Sequence, residues 1–194
     1  MEIGATKAVQ DRLKTTRIEE SKGASLVFCW DTHLTKIKGR NVLFIVNASN
    51  RYTIAMTDIE QGNWKYYIMY ISRVIHVVMQ EMGYSEDQIG QYFKMSGDTT
   101  VTKTHGRKSV GGINRMVMDA QYFGKKLEKE AKYQWELSEY LNRDICQPEG
   151  FDAYGYPSEL FKLDMERLGI AAKRKPAKVI DFVQYIENNR GTNN

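Results

Sequence analysis

The chain has 194 residues, of which 42% are hydrophobic, 27% charged and 11% aromatic, with a net charge of +4. That length suits one domain, or one domain plus a short appendage, and the apolar content is enough to offset chain entropy, which excludes disorder over most of the chain. Two cysteines without a CxxC pair exclude a disulfide framework, and no apolar run reaches the roughly 18 residues of a membrane helix.

A strand is expected over 3–6, a short helix over 8–13 and a polar loop over 15–23. Residues 41–46 alternate Val42, Phe44 and Val46 with Leu43 and Ile45, and residues 52–57 alternate Tyr52, Ile54 and Met56 with Thr53, Ala55 and Thr57. The link Asn47-Ala48-Ser49-Asn50-Arg51 is rich in turn formers, so the two runs predict a hairpin. Residues 30–38 predict a third strand, turning at Gly39-Arg40. Apolar side chains on both faces of 42–46 predict a central strand covered by helices.

Trp64, Tyr67, Ile68, Ile71, Val74, Ile75, Val78, Met79 and Met82 recur at three and four, which predicts a helix over 64–82 ending at Gly83. Ser85 and Gln88 form a capping box for the next helix. Residues 98–104 read as a further strand. Ser109 is the expected N-cap of a third helix, in which Ile113, Val117, Ala120, Leu127, Ala131, Leu137 and Leu141 keep a helical rhythm to about residue 145, with a break near Gly124. The connector 148–157 (PEGFDAYGYP) separates an expected main domain, residues 1–147, from an appendage, residues 148–194, with short helices over 158–168 and 177–189. The appendage is too short for its own core, so it either packs back or serves as an interaction arm. The expected fold class is α+β: an antiparallel sheet packed on a long helix, then a long helix and the helical appendage.

Charge is arranged in blocks. Residues 103–132 hold eight basic residues against three acidic ones, and residues 133–166 hold eight acidic against two basic. Such blocks read either as solvated helix faces or as a footprint for phosphates. Residues 99–114 (TTVTKTHGRKSVGGIN) run from a strand through a basic glycine-containing loop to a helix N-terminus, a geometry that aims backbone N–H groups and a helix dipole at an anion. Lys103, His105, Arg107 and Lys108 would add charge there and Ser109 a hydroxyl; a plain surface turn is the alternative. Gly106 and Gly111 have P-loop separation, but Gly112 and Ile113 stand where Lys and Ser/Thr belong, which excludes NTP hydrolysis by that route. The loop also departs from the pyrophosphate loop of acyl-CoA acetyltransferases in its basic residue and glycine placement.

Only three histidines are present. His76 reads as a structural or surface residue, and Cys29 and His33 carry no recognised metal-ligand spacing, so neither metal nor cofactor is expected. His105, with Lys103, Arg107 and a carboxylate such as Asp98, could cleave RNA without metal. Tyr66 and Tyr70 lie at the edge of the long helix's apolar stripe. Phe151, Tyr154 and Tyr156 in the connector form a candidate protein-contact patch.

Residues 1–7 (MEIGATK), 42–52 (VLFIVNASNRY) and 102–114 (TKTHGRKSVGGIN) together resemble a bacterial domain family of unknown function, found in bacterial, plasmid and phage-like sequences. Its initial element matches Thr6 and Lys7, its Val-Asn strand end matches Asn47, and its later element matches Thr102, Lys103, Arg107, Ser109, Gly112 and Asn114; Lys108 stands between Arg107 and Ser109, which family members carry side by side. The resemblance spans about residues 1–123 and implies an α+β domain without an assigned reaction. Together with the charge layout, it leads to the expectation of a cytoplasmic, non-enzymatic binding protein of phage or mobile-element type. Its expected partner is nucleic acid, a nucleoprotein complex or an acidic protein, with an anti-CRISPR inhibitor of host defence as one form. The expected contacts are Lys103, Arg107, Lys108, Ser109, Gly112, Asn114, Arg115, Lys125, Lys126, Lys129 and Lys132. The alternatives are a ribonuclease-like toxin centred on His105 and a docking module using the C-terminal appendage.

Overall fold

The computed structural model describes residues 1–14, 18–57, 59 and 61–173. The helix expected over 177–189 lies outside the described residues. In chain order the elements are β1 (Glu2–Ala5), α1 (Lys7–Leu13), β2 (Cys29–Ile37), β3 (Arg40–Asn47), β4 (Thr53–Thr57), α2 (Tyr67–Glu81), α3 (Glu86–Ser96), β5 (Thr100–Thr102), α4 (Arg107–Gln121), α5 (Trp135–Leu141) and α6 (Pro157–Arg167).

The alternating run of β3 places that strand between β2 and β4, antiparallel to both, with Phe44 opposite His33 on one side and Ala55 on the other. The sheet order is β4-β3-β2-β1-β5. The fold is α+β, but the sheet is mixed rather than antiparallel throughout: β1 runs parallel to both β2 and β5. Neither neighbour is joined to β1 by a tight turn, and a crossover delivers a parallel strand.

Both sheet faces are covered, as the two-sided apolar pattern of β3 demands. On one face Ile3, Trp30, Leu43, Ile45 and Ile54 meet the stripe of α2 (Tyr67, Ile71, Ile75, Val78), Ile89 and Tyr92 of α3, and Phe161 and Met165 of α6. On the other, Val42, Phe44, Val46 and Ala55 meet Ile113, Met116 and Ala120 of α4 and Leu137 and Leu141 of α5. The result is a three-layer arrangement with the sheet in the middle.

Local signals map closely. Gly83 takes φ 87° just past the end of α2, and Ser85 and Gln88 form the full capping box of α3. Three expectations are corrected. Trp64 lies in a 3-10 turn, Gln61–Tyr66, and α2 begins at Tyr67. Gly106, not Ser109, is the N-cap of α4. The break expected near Gly124 is a whole segment, residues 122–134, between two helices, because that segment is drawn onto the edge of β4. Thr57 N donates to the Lys132 carbonyl at 2.7 Å, Gln134 N to the Ala55 carbonyl at 2.9 Å, and the Gln134 amide to Thr57 Oγ1 at 3.0 Å. Strand pairing takes the backbone groups that a continuous helix would have used.

The described part of the expected appendage packs back on the main domain. The Phe161 ring lies against Tyr52 (5.2 Å between centroids), Trp30 (6.1 Å) and Tyr84 (6.2 Å). Asn50 Nδ2 donates to Asp164 Oδ2 at 2.8 Å, tying α6 to the β3–β4 link. That link is buried, and its amides at Ser49 and Asn50 donate to Asn47 Oδ1. No helix among the described residues is long and apolar enough to cross a membrane.

Candidate functional site

Register brings the polar centre together. Glu2 pairs with Cys29, and Gly4 pairs with both Asp31 and Thr102, so these residues share one face of the β2-β1-β5 part of the sheet. After β5 the chain turns at Gly106, whose φ of 95° favours glycine, and enters α4. His105, just before that turn, points inward.

His105 stands between two carboxylates. Its Nδ1 lies 2.7 Å from Asp31 Oδ1 and its Nε2 3.0 Å from Glu2 Oε2, and the side chains of His105, Glu2 and Asp31 are 3%, 5% and 0% exposed. Asp31 also accepts from the His105 backbone N–H at 3.2 Å and from the Ser109 hydroxyl. Glu2 accepts from Ser21 Oγ at 2.6 Å and from the Lys22 N–H at 2.8 Å. Burial alone would pull the His105 pKa down; the hydrogen bond and charge of Asp31, reinforced by Cys29, outweigh it and raise it to about 10. For Glu2, burial pushes upward, but the hydrogen bonds from Ser21, His105 and Lys22 more than offset it and leave the carboxyl below its ordinary value.

The chemistry follows from that geometry. A histidine held protonated to about pH 10, with both ring nitrogens engaged and almost no exposure, is placed to carry a fixed positive charge rather than to shuttle protons near neutrality. Asp98, the carboxylate considered for it, is exposed, and Asp31 takes that place. The strand-to-helix corner does present donors to an anion, but the anion is the protein's own Asp31.

Gly4 is the steric counterpart of this arrangement. An added Cβ would stand 1.9 Å from Asp31 Oδ1 and 3.0 Å from Thr104 Cα. Gly4→Ala is therefore expected to push Asp31 off His105 and to lower stability by about 2–3 kcal/mol. Urea denaturation checks this; a loss below about 0.5 kcal/mol would show that Asp31 moves aside without cost.

The expected anion-binding residues separate into inward, paired and outward groups. Ser109 is buried on Asp31, and the Gly112 carbonyl accepts from Arg51 Nη2 at 3.2 Å. Lys103 pairs with Glu20, Lys108 lies 3.9 Å from Glu149, Arg115 3.3 Å from Asp119 and Lys125 2.7 Å from Glu136, all in solvent-facing pairs. Such pairs contribute little to stability and exchange readily for another anion. Lys132 Nζ sits 6.0 Å from the Tyr70 ring centroid. Arg107, Lys126 and Lys129 are exposed and form no ion pair among the described residues.

Spacing along α4 sorts its faces. Ser109, Ile113, Met116 and Ala120 are buried, whereas Arg107, Gly111, Asn114, Arg115, Met118 and Tyr122, at or just past its C-terminal end, are exposed on the opposite side. Tyr122 is 80% and Met118 61% exposed, an unusual outward position for such side chains. Beyond Tyr122, Lys38 donates to the carbonyls of Phe123 and Lys125, and Arg40 to that of Glu128, bringing two further cations to the loop that carries Lys125, Lys126 and Lys129.

Of the connector aromatics, Tyr154 and Tyr156 are exposed, but Phe151 is buried with Cys146 and Leu160, under the Arg167 guanidinium at 3.9 Å from its ring centroid. His33 Nδ1 meets Thr6 Oγ1 at 3.2 Å, and His76 lies 3.2 Å from Glu86. Glu2, Gly4, Cys29 and Asp31 were not apparent as site residues in the sequence. The available signal is an acid, Asp31, directly after the apolar run 26–30, and a glycine inside the first strand.

A family model described as Domain of unknown function (DUF6933) matches residues 2–160, reaching past the limit near residue 123 set by the motifs. No curated protein and no solved structure matches the chain.

Proposed function

The chain belongs to this family of unknown function, and on that premise we propose that it is a non-enzymatic binding protein that docks nucleic acid, free or within a nucleoprotein complex, on the outward face of α4. In its most specific form the reading is an inhibitor of a host-defence nucleoprotein. One observation carries it: Arg107, Asn114, Arg115, Met118 and Tyr122 share a single exposed stripe on and just beyond α4, leading into the Lys125–Lys126–Lys129 loop. A helix of this length spans about 22 Å, enough for several nucleotides. Cations along it would hold phosphates while Tyr122 offers a ring on which a base can stack, the combination that suits single-stranded nucleic acid.

The test is fluorescence anisotropy with a labelled single-stranded RNA and its DNA equivalent. The double variant Arg107→Glu/Arg115→Glu is expected to weaken binding at least tenfold, and Tyr122→Ala about fivefold, from the roughly 1 kcal/mol or more of a stacked base. All three residues are exposed, so folding is unaffected. Affinities within twofold of the parent for both variants would overturn the reading.

A further inference from the structure

We propose that Glu2, Cys29 and His105 form a binding site for a divalent transition-metal ion of the zinc class. One carboxylate oxygen of Glu2, Sγ of Cys29 and a ring nitrogen of His105 all lie within 4.8 Å of one another. A tetrahedral ion with bonds of about 2.0–2.3 Å needs its ligands roughly 3.3–3.8 Å apart, so small side-chain rotations suffice. The donor set selects the ion. Thiolate with imidazole and one carboxylate suits zinc or cobalt, whereas magnesium and calcium require oxygen ligands throughout.

Three further observations support the site. Glu2 and Cys29 are register partners on adjacent parallel strands, so two of the ligands are held by rigid backbone. Asp31 engages His105 Nδ1 at 2.7 Å and turns Nε2 toward Glu2, and Ser21 Oγ holds Glu2 at 2.6 Å. A carboxylate behind the non-ligating nitrogen is the support that metal-bound histidines use. Cys29 itself is fully buried, and its own hydrogen bonds are long, 3.5 Å to the Ser25 carbonyl and 3.7 Å to that of Ala24. Three protein donors leave a fourth position for water or an exogenous ligand. The site lies beneath the first turn of α4 and shares no residue with its outward face, so it stands or falls independently of the nucleic-acid reading.

The test uses the 194-residue chain, stripped with a chelator and titrated with Co²⁺ in the absence of nucleic acid. Saturation at one equivalent is expected, with a near-ultraviolet thiolate-to-cobalt absorption that one equivalent of Zn²⁺ removes and that Cys29→Ser lacks. Glu2→Gln, which keeps the side chain's shape but removes its charge and one of its two accepting oxygens, is expected to weaken Co²⁺ binding at least tenfold. Absence of saturable binding by the folded parent chain, a spectrum without the sulfur band, or unchanged affinity in Glu2→Gln would each overturn the proposal and leave the cluster as a buried imidazolium between two carboxylates.

Discussion

Replacing His105 by alanine is expected to cost about 3–5 kcal/mol of folding stability, because it removes the positive charge between two buried carboxylates and leaves both without it. For a chain of this size that is a fall in melting temperature of roughly 10 °C. The loss has a pH signature. His105 faces Asp31, Glu2 and Cys29 and keeps its proton to about pH 10, whereas in the unfolded chain it titrates near its ordinary value of 6.5. Its contribution is therefore complete below about pH 6.5 and declines as pH rises toward 10, since the folded state then binds more protons than the unfolded one. The amino terminus, its pKa lowered chiefly by burial, acts in the opposite sense over part of this range. Comparing parent and His105→Ala at each pH cancels that contribution. With a chelator present so that no ion competes for Nε2, the stability difference between the two proteins is expected to shrink steadily between pH 7 and 9. A constant difference would show that His105 is not held as an imidazolium.

Phe161→Ala is expected to be equally severe, about 3–5 kcal/mol, through lost burial and a cavity among Trp30, Tyr52 and Tyr84. The effect distinguishes an integral α6 from a detachable one. Because Phe161 packs on Trp30 in the sheet, fluorescence and far-ultraviolet circular dichroism should report one coincident urea transition, shifted by that amount. A shift below 1 kcal/mol, or separate transitions for the two probes, would mean that α6 rests on the domain without completing its core.

How far the sequence reveals this molecule depends on the range of the interaction. The capping box at Ser85 and Gln88, the stripe of α2 and the alternation of β3 are set by residues within one or two turns of each other, and all three emerge from spacing alone. The parallel placement of β1 does not, because nothing local in 2–5 says which distant strand it will join. The same limit hid the polar centre: His105 meets Asp31 across 74 residues and Glu2 across 103. The basic loop reads in the sequence as a seat for an external anion; in the structure its corner donates to Asp31, near the start of β2, a pairing visible only in three dimensions. The helical rhythm of residues 113–141 shows the converse case: the break near Gly124 is legible, but its full length is set where Gln134 and the Lys132 carbonyl join the edge of β4. Met118 and Tyr122 are a different matter. They follow Arg107 at eleven and fifteen residues, a helical spacing visible in the sequence, and only their exposure required the structure.

The most direct measurement is the salt dependence of single-stranded RNA affinity for the parent chain and for Arg107→Glu/Arg115→Glu. With three to four phosphates neutralised by the outward face of α4 and its following loop, log affinity should fall against log salt with a slope of about −2 to −3, and the double variant should bind more weakly with a shallower slope. No saturable binding at low salt, or an affinity indifferent to salt and to both substitutions, would contradict the account.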